Sequence, residues 1–171
     1  KTKICVVDFK KRHPKVYNAL ILDTPYDSIE DGYIKDKTSL SEAIHDKLRE
    51  AKIRINSVVF TISSSKIANR EVVIPLVKKK QIQEVVNAGA ADYFPIDVAE
   101  YNITFTILEK VNTKEEKNYR LLVLAAHNNL ILSYYELAYA LNFKVESIDF
   151  RGNSVFQIIR KQNIVETNMF I

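Results

Sequence analysis

Apolar and polar positions follow two rhythms along this chain, and each change of rhythm marks an element. Val58, Val59, Phe60 and Ile62 form a short run between Asn56-Ser57 and Ser63-Ser64-Ser65, which predicts a buried strand and its exit turn. A second run over residues 67–74 ends at Pro75, which has no N–H to give to a ladder. Ile82, Val85, Val86, Ala90, Tyr93 and Phe94 then recur at the three-and-four spacing of one helix face, and Pro95 stops the helix.

The same reading extends in both directions. Residues 4–7 and 16–22 are apolar strands flanking a polar turn at 10–14, most simply a hairpin, with a loop over 24–37 after it. Ser39 followed by Glu42 has the form of a capping box and starts a helix whose face is Leu40, Ala43, Ile44, Leu48 and Ala51. That helix is expected to cover a sheet made by the first two strands and the run at 58–62.

Beyond residue 100, Ile103, Phe105 and Ile107 alternate with Thr104 and Thr106 in the period of a half-buried strand. A charged turn and a strand over 120–126 follow. Asn128 or Asn129 is placed to cap a helix bearing Ile131, Tyr134, Tyr135, Ala138 and Leu141, and residues 145–148 make a last strand. Taken alone, this stretch has the strand-helix-strand-strand-helix-strand order of a ferredoxin-like unit. A further helix is predicted over 150–162, capped by Ser154 or Asn153, and residues 163–171 read as the start of another lobe.

Composition narrows the class. With 171 residues, 47% of them hydrophobic, and only 3 Gly and 4 Pro, the chain can bury a substantial core as one domain or two small lobes. The 25 Lys and Arg against 21 Asp and Glu leave a net charge of +4, with both signs mixed along the chain, too weak a bias to imply nucleic acid. Cys5 is the single cysteine, so no internal disulfide forms, and its place in an apolar run suggests a small core filler. Strands starting almost at residue 1 and an apolar end at 168–171 read as a piece of a longer chain.

Few residues carry candidate chemistry. His13, His45 and His127 stand at no ligand spacing, so no metal site is expected. Asp8, Asp23 and Asp149 each close an apolar run, where a carboxylate either faces a cleft or makes a turn. Neither a glycine-rich phosphate loop nor a nucleophile motif occurs, and no catalytic residue is predicted. Two basic clusters, at residues 10–15 and at Lys78-Lys79-Lys80, would suit an anionic surface, but solvated faces account for both.

Residues 57–108 also resemble a known family. The spacing of Arg70 to Pro75 and the Tyr-Phe-Pro-Ile of Tyr93 to Ile96 are the most specific features; weaker likeness extends over 24–36 and 121–150. The passage is similar to PilM, the actin-like, FtsA-related family of type IV pilus assembly, where the first subdomain gives way to an inserted one. The resemblance implies an α/β fold: an incomplete actin-like, ribonuclease H-like subdomain over 1–64 lacking its opening strand, and an inserted subdomain over 65–143. The chain would then return to the first subdomain over 144–171, where its final strand rejoins the first sheet.

Function follows from the same resemblance. It implies a cytoplasmic scaffold at the inner face of the membrane that binds the N-terminal peptide of a PilN-like membrane protein in a groove between the subdomains. Other inner-membrane pilus components and self-association would complete its partners, with no nucleic acid. Ile74, Pro75, Tyr93, Phe94, Pro95, Phe143 and Phe150 are the expected peptide-binding residues, placed at element ends where the two subdomains should meet. Actin-like ATPases hold phosphates with two Asp-x-Gly hairpins, and neither is in this sequence. ATP and Mg²⁺ would belong to a longer parent, and this chain is expected to be inactive and to hold no cofactor. The alternatives are an FtsA-like division protein and a ferredoxin-like RNA-binding module; the latter needs stacking aromatics that residues 120–125 do not supply.

Overall fold

A computed structural model describes residues 1–8, 15–113 and 115–154, and the chain divides into two units, Lys1–Ser63 with Ser133–Ile171 as the first and Ser64–Leu132 as the second. The basic turn at 10–14, the remainder of the helix predicted over 150–162 and the tail at 163–171 lie outside the described residues.

The first unit opens with the hairpin expected from its apolar runs. Strands β1 (Thr2–Asp8) and β2 (Lys15–Leu22) pair antiparallel with an irregularity at Val6/Val7. Ile4, Leu20 and Leu22 face the core, whereas Cys5 is exposed on the opposite face, so its expected role as core filler is wrong. Alternation decides this: Cys5 pairs with Ala19 and is one residue out of phase with Ile4.

The predicted loop over 24–37 contains a miniature hairpin, β3 (Ile29–Glu30) and β4 (Tyr33–Ile34). Its two-residue tip, Asp31-Gly32, has positive φ at both positions, as such turns require. Helix α1 (Lys37–Glu50) begins earlier than the capping box suggested. Asp36 is the cap, accepting from Ser39 N (3.0 Å) and Ser39 Oγ (2.6 Å), so Ser39 serves as donor inside the first turn.

Leu40, Ile44 and Leu48, one turn apart on α1, bury against Leu22 and against Leu137 and Leu141 of a later helix. Strand β5 (Ser57–Ile62) adds Phe60 to this cluster.

The second unit starts with β6 (Ala68–Pro75). A 3-10 turn at Lys79–Gln81 leads into α2 (Ile82–Tyr93). Another short turn at Val98–Glu100, capped by Asp97, feeds β7 (Tyr101–Asn112), and β8 (Lys117–His127) runs back beside it. The sheet order is β6-β8-β7, all antiparallel. Val72, Ile74, Leu121, Val123 and Ala125 on one face bury against Ile82, Val86 and Phe94. On the other face Arg120 ties the three strands together, with Glu71 at 2.6 Å and Glu109 at 2.9 Å. Both carboxylates, Glu71 foremost, raise the Arg120 pKa.

Helix α3 (Asn128–Ala140) carries the chain out of the second unit at Leu132. The expected asparagine cap is replaced: the Asn129 N–H donates to His127 Nδ1 at 3.1 Å, and Asn128 Nδ2 donates to the Ala99 carbonyl. The second unit thus ends within α3, at Leu132, and Leu137 and Leu141 pack in the core of the first unit.

Strand β9 (Lys144–Phe150) pairs parallel with β5, not with the three-stranded sheet. Among the described residues β1–β2 and β5–β9 are separate two-stranded sheets, so neither a ferredoxin-like sheet nor the single first sheet expected of β1, β2 and β5 is formed. Residues 151–154 turn helical, and Asp149 accepts from Asn153 Nδ2 (2.9 Å) and Ser154 Oγ (2.7 Å). The two residues expected as caps donate instead to the carboxylate ahead of them.

Candidate functional site

The residues singled out at the sequence level fall into two groups. Ile74 and Phe94 are buried in the core of the second unit, with Tyr93 packed against the same cluster. Their neighbours Pro75 and Pro95 are exposed. Phe143 and Phe150 belong to the first unit, Phe143 against its core and Phe150 half-buried at the end of β9. Those two flank a whole strand, which at about 3.3 Å per residue sets them roughly 23 Å apart. The structure thus sets Tyr93, Phe94 and Pro95 at one joint, the end of α2, while Ile74 and Pro75 lie at the other end of β6 from Arg70, and Phe143 and Phe150 stand at the two ends of β9.

That joint is built locally. Arg70, on β6, donates from Nη1 to the Tyr93 carbonyl at 2.7 Å, at the end of α2 where helix carbonyls lack internal partners. Phe94 leaves the helix with extended backbone, its N–H still donating to Ala90 O, and its ring is buried in the core of the second unit. The Ile96 N–H donates to Phe94 O and closes the turn around Pro95. The two stretches with the most specific sequence features therefore hold each other: the arginine of the first fixes the tyrosine of the second. Across the sheet Pro75 stands opposite Asn118, whose Oδ1 is buried without a donor among the described residues. Pro75 has no N–H to offer it.

Glycine positions two of the aromatics. A Cβ at Gly89 would run into the Tyr93 ring, and one at Gly152 would meet the Phe150 ring. Neither glycine was among the expected site residues. The signal was present as Gly89 and Tyr93 one helical turn apart.

The remaining candidates have structural employment. Asp23 forms an exposed ion pair with Lys1 at 3.2 Å. Asp149 accepts from the side chains of Asn153 and Ser154. His127 stacks edge-on against Tyr101 at 5.2 Å and lies 3.6 Å from Glu100. Lys78, Lys79 and Lys80 are exposed at the 3-10 turn. In the first unit Tyr134 donates its hydroxyl to the Gly32 carbonyl at 2.7 Å, tying α3 to the β3–β4 tip, and burial pushes its phenol up to about 12. Among the described residues no cluster of His, Cys, Asp and Glu could hold a metal ion, and no helix is long and apolar enough to cross a membrane.

Comparison with known proteins adds identity to this geometry. No curated protein matches the chain. Among solved structures, a chain of a PilM-PilN type IV pilus biogenesis complex is similar at a TM-score of 0.80 and 20% identity, over 94% of this chain and 47% of that one. This chain thus spans about half the length of that relative, and a likeness at this identity speaks for the fold. The model of the family described as type IV pilus assembly protein PilM matches residues 1–164. A match over nearly the whole sequence decides the matter: the chain belongs to the PilM family of type IV pilus assembly proteins.

Proposed function

We propose that this chain acts as a cytoplasmic scaffold in type IV pilus assembly by binding the N-terminal cytoplasmic peptide of a PilN-like membrane protein, which holds it at the inner face of the membrane. The observation that carries the reading is the family match over residues 1–164, and the similar solved chain comes from a complex of PilM with PilN. The match favours a pilus role over division. The local geometry supports a peptide-binding role in the second unit. Strand β6 lies at an edge of its sheet, where an extended segment can add main-chain hydrogen bonds. Near the start of that strand, at the joint Arg70 fixes, Tyr93 and Pro95 offer partly or fully exposed apolar surface.

Isothermal titration with a synthetic N-terminal peptide of a PilN-like protein tests this. Saturable binding is expected, and Tyr93→Ala should weaken it about tenfold, a usual loss for an aromatic anchor. Pro95→Ala is the gentler companion variant. Phe94→Ala is a poor probe, because removing a buried ring costs about 3–5 kcal/mol of stability. Absence of binding, or unchanged affinity in folded Tyr93→Ala, would refute the proposal.

ATP and Mg²⁺, which the family resemblance implies for a longer parent, do not suit the residues of this chain. Its three glycines are committed elsewhere: Gly32 at the β3–β4 tip with φ 84°, Gly89 inside α2, and Gly152 beside Phe150. None supplies a phosphate-cradling hairpin. Titration with a fluorescent ATP analogue and Mg²⁺ should show no saturable binding; tight saturation would contradict the assignment.

A further inference from the structure

Both helices of the first unit's core end at one place, and both end without glycine. Lys52 follows α1 with φ 56° and Asn142 follows α3 with φ 57°. In each case the next N–H donates back five residues, Ile53 to Leu48 O and Phe143 to Ala138 O, so the chain turns sharply off the helix. The turns leave a concavity of about 690 Å³ that lies wholly within this unit. Leu48, Ile53, Ile55, Leu141 and Phe143 contribute apolar surface to it.

Its charged rim has one sign. Arg49, Lys52 and Arg54 line the opening, all exposed, and no carboxylate is among the lining residues. Arg49 is partly neutralised by Asp46 at 3.1 Å, so among the described residues Lys52 and Arg54 are the rim cations best placed to meet a ligand. An apolar floor under a cationic rim selects for apolar side chains flanked by carboxylates. A concave shape of this size suits a few side chains of a peptide better than a flat bilayer surface.

We infer that this concavity is a second docking site, for an acidic segment of another protein carrying interspersed apolar residues. It is distinct from the joint at Tyr93 in the second unit, so either site can fail without the other. Fluorescence anisotropy with a labelled peptide alternating leucine and glutamate tests it directly, against the same peptide with lysine for glutamate and with alanine for leucine. The leucine-glutamate peptide should bind at least about tenfold more tightly than either control, and added salt should weaken it. The Lys52→Glu, Arg54→Glu double variant should lose about tenfold in affinity while keeping its melting temperature, since both side chains are exposed. It should also retain any binding of a PilN-type peptide. Equal binding of the lysine peptide, no binding of the leucine-glutamate peptide, or indifference to the double variant would overturn the inference. So would displacement of the peptide by anionic phosphatidylglycerol vesicles, or self-association that the double variant abolishes, since either would name a different occupant.

Discussion

Single side chains in this protein act mostly as ties between elements. Arg70 binds β6 to the end of α2, Arg120 crosses the three-stranded sheet, and Tyr134 joins α3 to the β3–β4 tip. Tyr134 also carries a pH signature. Its pKa in the fold is raised from 10.0 to about 12, so its contribution to stability is full below the ordinary value and is lost as pH rises through about 12. Tyr134→Phe should cost on the order of 1 kcal/mol at neutral pH, the net value of one hydrogen bond. Above about pH 10 the variant should lack this part of the alkaline decline, narrowing its deficit. Urea unfolding at about pH 8 and about pH 11 checks both expectations.

At this scale the sequence was legible wherever a residue type has one use. Pro75 and Pro95 marked element ends, and the alternating run named the half-buried positions of β7. It was less legible where neighbours compete for one role. Ser39 and Asp36 both suit a helix start, as do Asn153, Ser154 and Asp149 near β9. In each case the carboxylate became the acceptor and the neutral residue the donor, since an ionised acceptor makes the stronger bond.

Elements were read with less error than their ends. The three-and-four spacing found α1 and α2, because a helix face must match the width of the core it covers. The miniature hairpin at Ile29–Ile34 was missed because two-residue strands carry no periodicity; only Asp31-Gly32 announced it. The cap of α1 makes the element-level prediction. Hydrogen bonds from Ser39 hold the Asp36 carboxyl below its ordinary range. A depressed pKa stabilises the fold above the unfolded value, and that stabilisation is lost as pH falls through the folded one. Asp36→Ala should therefore lower the thermal midpoint at neutral pH, with the difference from the parent shrinking in acid. Equal midpoints at pH 7 would show that α1 is held by its buried face alone.

At the scale of the whole chain, topology turns on one strand. Local pattern gave β9 a place after α3 but could not choose its partner, since a ferredoxin-like sheet and a return to β5 demand the same local run. The family resemblance implied a return to the first sheet; β9 pairs parallel with β5, in a two-stranded sheet of their own apart from β1–β2. The candidate site was legible only in part. Sequence pointed to the Arg70–Pro75 and Tyr93–Ile96 stretches, whereas the bond joining them and the glycines beneath the rings emerged from packing.

The central proposal is that this member of the PilM family presents this joint to a peptide of a PilN-like membrane protein. The most direct test is an amide NMR titration of the isotopically labelled chain with a PilN-type N-terminal peptide. The account predicts saturable shifts at Arg70, Tyr93, Phe94 and Ile96 and along β6. Shifts confined to other surfaces, or none at saturating peptide, would contradict it.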